Sequence, residues 1–205
     1  MGRLRFTLPM LALIVGYTWV LAPLTPRWAG QLVTAAVVGL SIWRAVLTGE
    51  WGLRRSAFWP ALRGAAAFTL LAVLAVYMAG SALGSLHRRE QPWQDLEDLA
   101  FLVPWGAGQQ FALQTVLLRE AQSATSRGKG IALAAAVFGA LHLPNPFLAP
   151  VTLVAAAAWC WIYDRHPNLV PLALSHALST LAVLACLDQR VTGHLRVGYS
   201  YLQLH

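Results

Sequence analysis

Charge is what this sequence has least of. Only 11% of its 205 residues are Asp, Glu, Lys or Arg, and just eight are acidic. A soluble domain carries about 25% charged residues. A soluble fold of this length also has no single core able to hide a composition that is 58% hydrophobic. Lipid as the solvent removes that difficulty. Cysteine is nearly absent as well: Cys160 and Cys186 both lie inside apolar runs. A disulfide framework needs more of them, at loop positions, so both read as packing residues. No internal repeat is visible. The net charge of +7 is not gathered into a stripe, as a nucleic-acid partner would require. Basic residues stand singly or in pairs between apolar runs, the pattern of topogenic charge in membrane loops.

What is present is long apolar runs. A hydrocarbon core needs about 20 residues of helix. On that ruler seven spans are expected, roughly 6–24, 30–48, 64–86, 99–118, 130–147, 149–163 and 169–187. The expected fold class is all-α: a polytopic membrane helix bundle of about seven transmembrane helices, one membrane domain over 1–205. The first run is too long for a signal-peptide apolar region, and no small-x-small cleavage site follows it. The start MGRLRF lacks the Ser or Thr of a myristoylation signal. The sixth run is short and reads as tilted or partly spanning. The polar stretch Ser85 to Leu99 reads as an interfacial helix or loop, and the tail after Asp188 as surface-lying. With the amino terminus inside, ten basic residues fall on inner segments (Arg3, Arg5, Arg44, Arg54, Arg55, Arg63, Arg119, Arg127, Lys129, Arg165). Five fall outside (Arg27, Arg88, Arg89, Arg190, Arg196). That asymmetry favours a cytoplasmic amino terminus.

Polar groups in lipid are costly, so each asks for a reason. Three clusters stand out. The fourth span, WGAGQQFALQTVLLRE, holds Gln109, Gln110 and Gln114, with Gln110 and Gln114 at i and i+4 on one face of an α-helix. Trp105, Gly106 and Gly108 before them permit close helix approach. The plainer role for such glutamines is interhelical hydrogen bonding. The fifth span, AAAVFGALHLPNPF, places Phe138 and His142 at i and i+4, then Pro144, Asn145 and Pro146 break the helix. A histidine beside freed carbonyls suits a wet cavity; the plainer role is a packed histidine with one hydrogen bond. The seventh span, PLALSHALSTLAVL, holds His176 and Thr180 at i and i+4, flanked by Ser175 and Ser179. Those serines are expected to bond back to their own helix, whereas His176 needs a partner on another. His87, His166, His194 and His205 lie in loops or the tail and read as solvated.

These three elements, in this order, resemble the CPBP family, which comprises type II CAAX prenyl proteases, bacteriocin-processing enzymes and Abi-like bacterial relatives. The family pattern is Glu-Glu-x-x-x-Arg, then Phe-x-x-x-His, then His-x-x-x-Asn/Asp. FGALH (Phe138 to His142) fits the second element, SHALST supplies the third through His176, and QQFALQ stands where the first should be. The resemblance covers roughly 97–187. It implies an intramembrane endopeptidase in a bacterial inner (plasma) membrane, acting on a peptide or lipidated protein substrate. It implies that the leading glutamate activates a water, that the first histidine helps hold that water, and that the second histidine and the Asn stabilise the oxyanion. Carried over, these positions are Gln109, His142, His176 and Thr180, with Gln110 and Gln114 at the second Glu and the Arg. Phe138 and Asn145 read as substrate-binding or structural support.

Only the two histidines match the chemistry. A carboxamide does not accept a proton usefully near neutral pH, so Gln109 is no general base. Glu120 lies ten or eleven residues on, roughly 16 Å along the helix. The charges vanished together, however, and left polar amides rather than Leu or Ala. A divalent metal on His142 and His176 would find amides poor further ligands, so no cofactor is expected with any firmness. Three functions follow from the sequence. The first is a peptidase with an altered site, using a histidine as base. The second is a catalytically silent relative that binds peptides or lipidated segments in a chaperone, immunity or scaffold role. The third is a small transporter, disfavoured by the lack of an intramembrane carboxylate and of repeats.

Overall fold

The computed structural model describes residues 4–26, 28–86 and 93–204. Part of the expected interfacial segment (87–92, including His87), His205, Arg3 and Arg27 lie outside the described residues. Among the described residues there is no strand, only one isolated bridge between Leu53 and Asn168. The fold is all-helical, as the apolar runs require. Three helical segments are long and apolar enough to cross a membrane: Ala29–Thr48, Arg55–Ala82 and Leu169–Cys186. The segment Thr7–Leu21 is a shorter apolar helix.

The described chain divides into two compact units. The first comprises Met1–Gly52, Phe111–Trp161 and Leu195–His205. Here α1 (Thr7–Gly16) continues as a π-helix over Tyr17–Leu21, and α2 (Ala29–Thr48) follows. Gly49, at φ 72°, ends α2 in the left-handed conformation that only glycine adopts without strain. A second π-helix, Ala112–Leu118, is buried at every residue and packs against α2. It leads into α5 (Arg119–Ala124) and α6 (Arg127–Ala140). Ser126 caps α6 by accepting from Lys129 N at 3.4 Å.

A charged cluster ties this unit together. Glu120, almost fully buried, accepts from Phe6 N at 3.1 Å and Thr7 N at 2.8 Å. It thereby satisfies the orphan N–H groups at the start of α1. Arg44 Nε lies 4.0 Å from the same carboxylate, and Arg119 Nε donates to Glu50 at 2.6 Å. The sequence placed Glu120 too far along its helix to serve the glutamines. The structure shows where its charge is used instead.

The tail after Asp188 is mostly exposed but is tied down by hydrogen bonds. Gly198 N donates to Leu143 O at 2.8 Å and Asn145 Nδ2 to Arg196 O at 3.0 Å, and Gly198 is buried against Thr18. These bonds fasten the tail to the Leu143–Asn145 turn. Hydropathy holds no signal for this, because the tail contributes only main-chain groups to them.

The second unit comprises Leu53–Gln110 and Ile162–His194. It holds α3 (Phe58–Ala82), most of α4 (Gln94–Phe111), the end of α7 (Leu148–Arg165), α8 (Leu169–Cys186) and α9 (Gln189–Thr192). The helix α3 begins six residues before the expected Gly64, because Pro60 falls in its first turn, where a missing N–H is tolerated. Ala61, Ala65 and Gly80 are its buried residues, and it packs along α8. A Cβ on Gly80 would run into the Cys186 carbonyl, so glycine is what permits that approach. Small residues play this role wherever membrane helices pack without a hydrophobic driving force. At α8's start, Asn168 accepts from Val170 N at 3.1 Å and donates to Arg54 O at 3.1 Å, joining the cap to the chain before α3.

The sixth expected span is a full helix. With 18 residues, α7 reaches about 27 Å, long enough to approach the thickness of a hydrocarbon core. Both cysteines are free thiols, Cys160 buried and Cys186 half-buried.

Candidate active site

In the second unit, α4 carries Gln109 and Gln110 toward its end and α8 carries His176 and Thr180 in its middle. Close approach of the two helices rests on Gly106. A Cβ there would stand 3.2 Å from the Ala173 carbonyl and 3.4 Å from His176 Cβ. The space a side chain would fill is what lets Gln110 reach His176. Gln110 is fully buried, and its Nε2 donates to His176 Nδ1 at 3.4 Å. An amide nitrogen only donates, so His176 Nδ1 accepts and the ring proton sits on Nε2. Gly106→Val is expected to destabilise the protein by about 1–3 kcal/mol through overpacking. It also separates Gln110 from His176. Thermal unfolding measured beside peptide cleavage checks both effects.

Gln109 is half-buried, yet its Oε1 is buried with no hydrogen-bond partner. Such an acceptor is rare enough to need a reason. Thr180 is half-buried one turn beyond His176. Of the two serines beside His176, Ser179 departs from expectation. Ser175 reaches across to α3, where Thr69 Oγ1 lies 2.7 Å from its hydroxyl. Ser179 Oγ is buried without a partner, so it does not bond back to its own helix.

In the first unit, Gln114 is fully buried within the Ala112–Leu118 π-helix. The regular α-helical step assumed between Gln110 and Gln114 therefore stops at Phe111 and widens to i→i+5 bonding. Phe138 is buried on the last turn of α6. His142 lies past the end of α6, in the turn that precedes α7, rather than inside a helix as the sequence suggested. Its ring packs on Phe138 at 5.0 Å between centroids, tilted by 54°. Its Nδ1 lies 2.7 Å from the Phe138 carbonyl. A carbonyl only accepts, so Nδ1 carries the proton and Nε2 keeps its lone pair. The two histidines therefore hold opposite roles at Nε2: a base in His142, a donor in His176.

Asn145, fully buried, accepts at Oδ1 from Phe147 N at 3.0 Å and Leu148 N at 2.9 Å, and Nδ2 donates to Arg196 O. Those bonds start α7 and hold the tail, so of its two expected roles the structural one is visible. Among the described residues, no three His, Cys, Asp or Glu side chains gather as a metal site. The two histidines thus lack a further protein ligand of that kind.

The glutamines, the two histidines and Thr180 all lie in one segment that matches a known family. Residues 99–182 match the family described as type II CAAX prenyl endopeptidase Rce1-like. Over these residues, about two fifths of the chain, the sequence is similar to that family. No curated protein and no solved structure matches the chain. The Rce1-like segment spans Gln109 through Thr180 and leaves out the first three helices. At family level the match supports a CAAX protease-like membrane peptidase reading.

The residues that sequence reasoning missed are Glu120 as the cap of α1, Glu50 with Arg119, and Asn168 at α8. Each had a visible polar side chain in an apolar setting. Apart from the local cap of Asn168 on Val170 N, their partners are distant in sequence, 114 residues for Phe6 and Glu120, and no local pattern points to those.

Proposed function

We propose that the protein is an intramembrane peptidase in which His142, rather than a glutamate, is the general base. The observation that carries this reading is the His142 Nδ1 contact to Phe138 O, which makes Nε2 the lone-pair nitrogen of the neutral ring. In the reaction, His142 Nε2 takes a proton from water as the water oxygen attacks the scissile carbonyl carbon. By the resemblance, the water-side position falls to Gln109, whose Oε1 is a buried acceptor without a partner. By the same resemblance, the oxyanion-stabilising role falls to His176, whose Nε2–H is left as a donor when Nδ1 accepts from Gln110. Thr180 adds a hydroxyl donor from the next turn. Collapse of the tetrahedral intermediate breaks the C–N bond, and His142 returns its proton to the leaving amine. Histidine suits both transfers, since its unperturbed pKa of about 6.5 lies near the working pH.

The substrate is a peptide or a lipidated protein segment presented at the bilayer. The glutamines favour a second reading, in which a silent relative holds such a segment without cutting it. One experiment separates the two. Protein reconstituted in lipid is incubated with a peptide library, and products are followed by mass spectrometry. Cleavage is expected, with His176→Ala lowering the rate by about 10²–10³-fold, the loss typical of an oxyanion donor. Peptide capture without cleavage, itself lost in His176→Ala, would establish the silent reading.

A further inference from the structure

The first unit holds an apolar groove of about 640 Å³ between α1 and α2. Its walls include Pro9 and Leu13 from one helix and Ala36, Gly39 and Trp43 from the other. The helices are antiparallel there: Phe6, at the start of α1, meets Trp43, near the end of α2, edge to face at 5.4 Å. From Ala36 to Trp43 the groove follows about 10 Å of helix, within the depth of one leaflet of a 30 Å hydrocarbon core. Gly39 leaves it open, since a Cβ there would meet nothing within 4 Å.

One end of the groove is charged. The exposed Arg5 holds its guanidinium 6.0 Å from the centre of the Trp43 ring and 5.8 Å from that of Phe6. No carboxylate among the described residues pairs with it. Trp43 belongs both to the groove wall and to the Arg5 contact. A tryptophan beside an arginine at one end of an apolar helix pair is the arrangement of a membrane–water interface.

We propose that this groove binds one anionic phospholipid, its phosphate on Arg5 and an acyl chain along Trp43, Gly39 and Ala36. Charge complementarity selects the occupant. An unpaired guanidinium attracts an anionic headgroup and forms paired hydrogen bonds to a phosphate. The groove below it offers carbon walls to a chain and no polar partner for a peptide backbone. The site is independent of the proposed peptidase chemistry, because no residue is shared.

The test uses the full chain in nanodiscs of equimolar phosphatidylglycerol and phosphatidylcholine. After transfer to mild detergent, native mass spectrometry counts the retained lipids. One phosphatidylglycerol is expected, enriched about five-fold over phosphatidylcholine, the ratio that one basic residue near the surface supplies. Arg5→Gln is expected to erase the enrichment and Arg5→Lys to keep most of it. Gly39→Leu places a side chain in the groove at a position where a Cβ meets nothing within 4 Å, and is expected to lower retention of both lipids. Equal retention of the two lipids by the unaltered protein would overturn the proposal. So would a phosphatidylglycerol preference that survives Arg5→Gln, or retention unchanged by Gly39→Leu. Thermal unfolding of each variant shows that the fold is intact when the lipids are counted.

Discussion

His142→Ala is expected to slow peptide cleavage by about 10²–10⁴-fold, the share of a rate that a positioned general base supplies. The expectation follows from one contact. Phe138 O, 2.7 Å from Nδ1, fixes both the tautomer and the plane of the ring, and the Phe138 ring packs against its face. In the neutral ring Nε2 then keeps its lone pair before substrate arrives. The measurement is a single-turnover rate on the best library peptide, which separates proton transfer from release. A second variant sharpens it. In His142→Ala with Gln109→Glu, a carboxylate base returns at the position where the resemblance expects one, and part of the lost rate is expected back. A rate unchanged by His142→Ala would remove this histidine from proton transfer.

Glu120→Ala is expected to cost about 3–5 kcal/mol of stability, the loss seen when one partner of a buried charged pair is removed. The carboxylate holds the Phe6 and Thr7 N–H groups and stands 4.0 Å from Arg44 Nε. Alanine leaves those donors buried and the Arg44 charge less compensated. It also loses the favourable placement of an anion at a helix amino terminus. Glu120→Gln keeps an acceptor oxygen but not the charge, so a smaller loss is expected. Chemical unfolding in mixed micelles reads both, and a loss below about 1 kcal/mol for alanine would place the stability of α1 elsewhere. Peptide cleavage by Glu120→Gln is expected to stay near the parent rate, since no step of the reaction uses this carboxylate.

Much of the helical layout was legible from composition and run length. The runs 30–48 and 169–187 became α2, Ala29–Thr48, and α8, Leu169–Cys186. Apolar length is a property of the chain that lipid reads directly, and it needs no tertiary information. Where the boundaries slipped, a local residue explains it. The run 130–147 ends as a helix at Ala140, because the turn before Pro144 and Pro146 takes over. The candidate site was legible for the same reason: Gln109, Gln110, Gln114, His142 and His176 are polar where the surroundings are not.

The sequence by itself determined that the chain is built for lipid, where its helices run, and which side chains have no reason to be there except a polar task. Only the tertiary structure decided what each of those side chains bonds to. His142 and His176 are the same residue type in similar apolar runs, yet Phe138 O leaves one a base and Gln110 Nε2 leaves the other a donor. For His142 the deciding contact lies four residues away, but it forms only because α6 stops at Ala140 and the ring turns back on its last turn. For His176 the deciding contact lies 66 residues away, across a helix approach that Gly106 permits. Periodicity reports which face of a helix avoids lipid. It carries no information about which neighbour that face meets, because that choice belongs to the packing of helices distant in sequence.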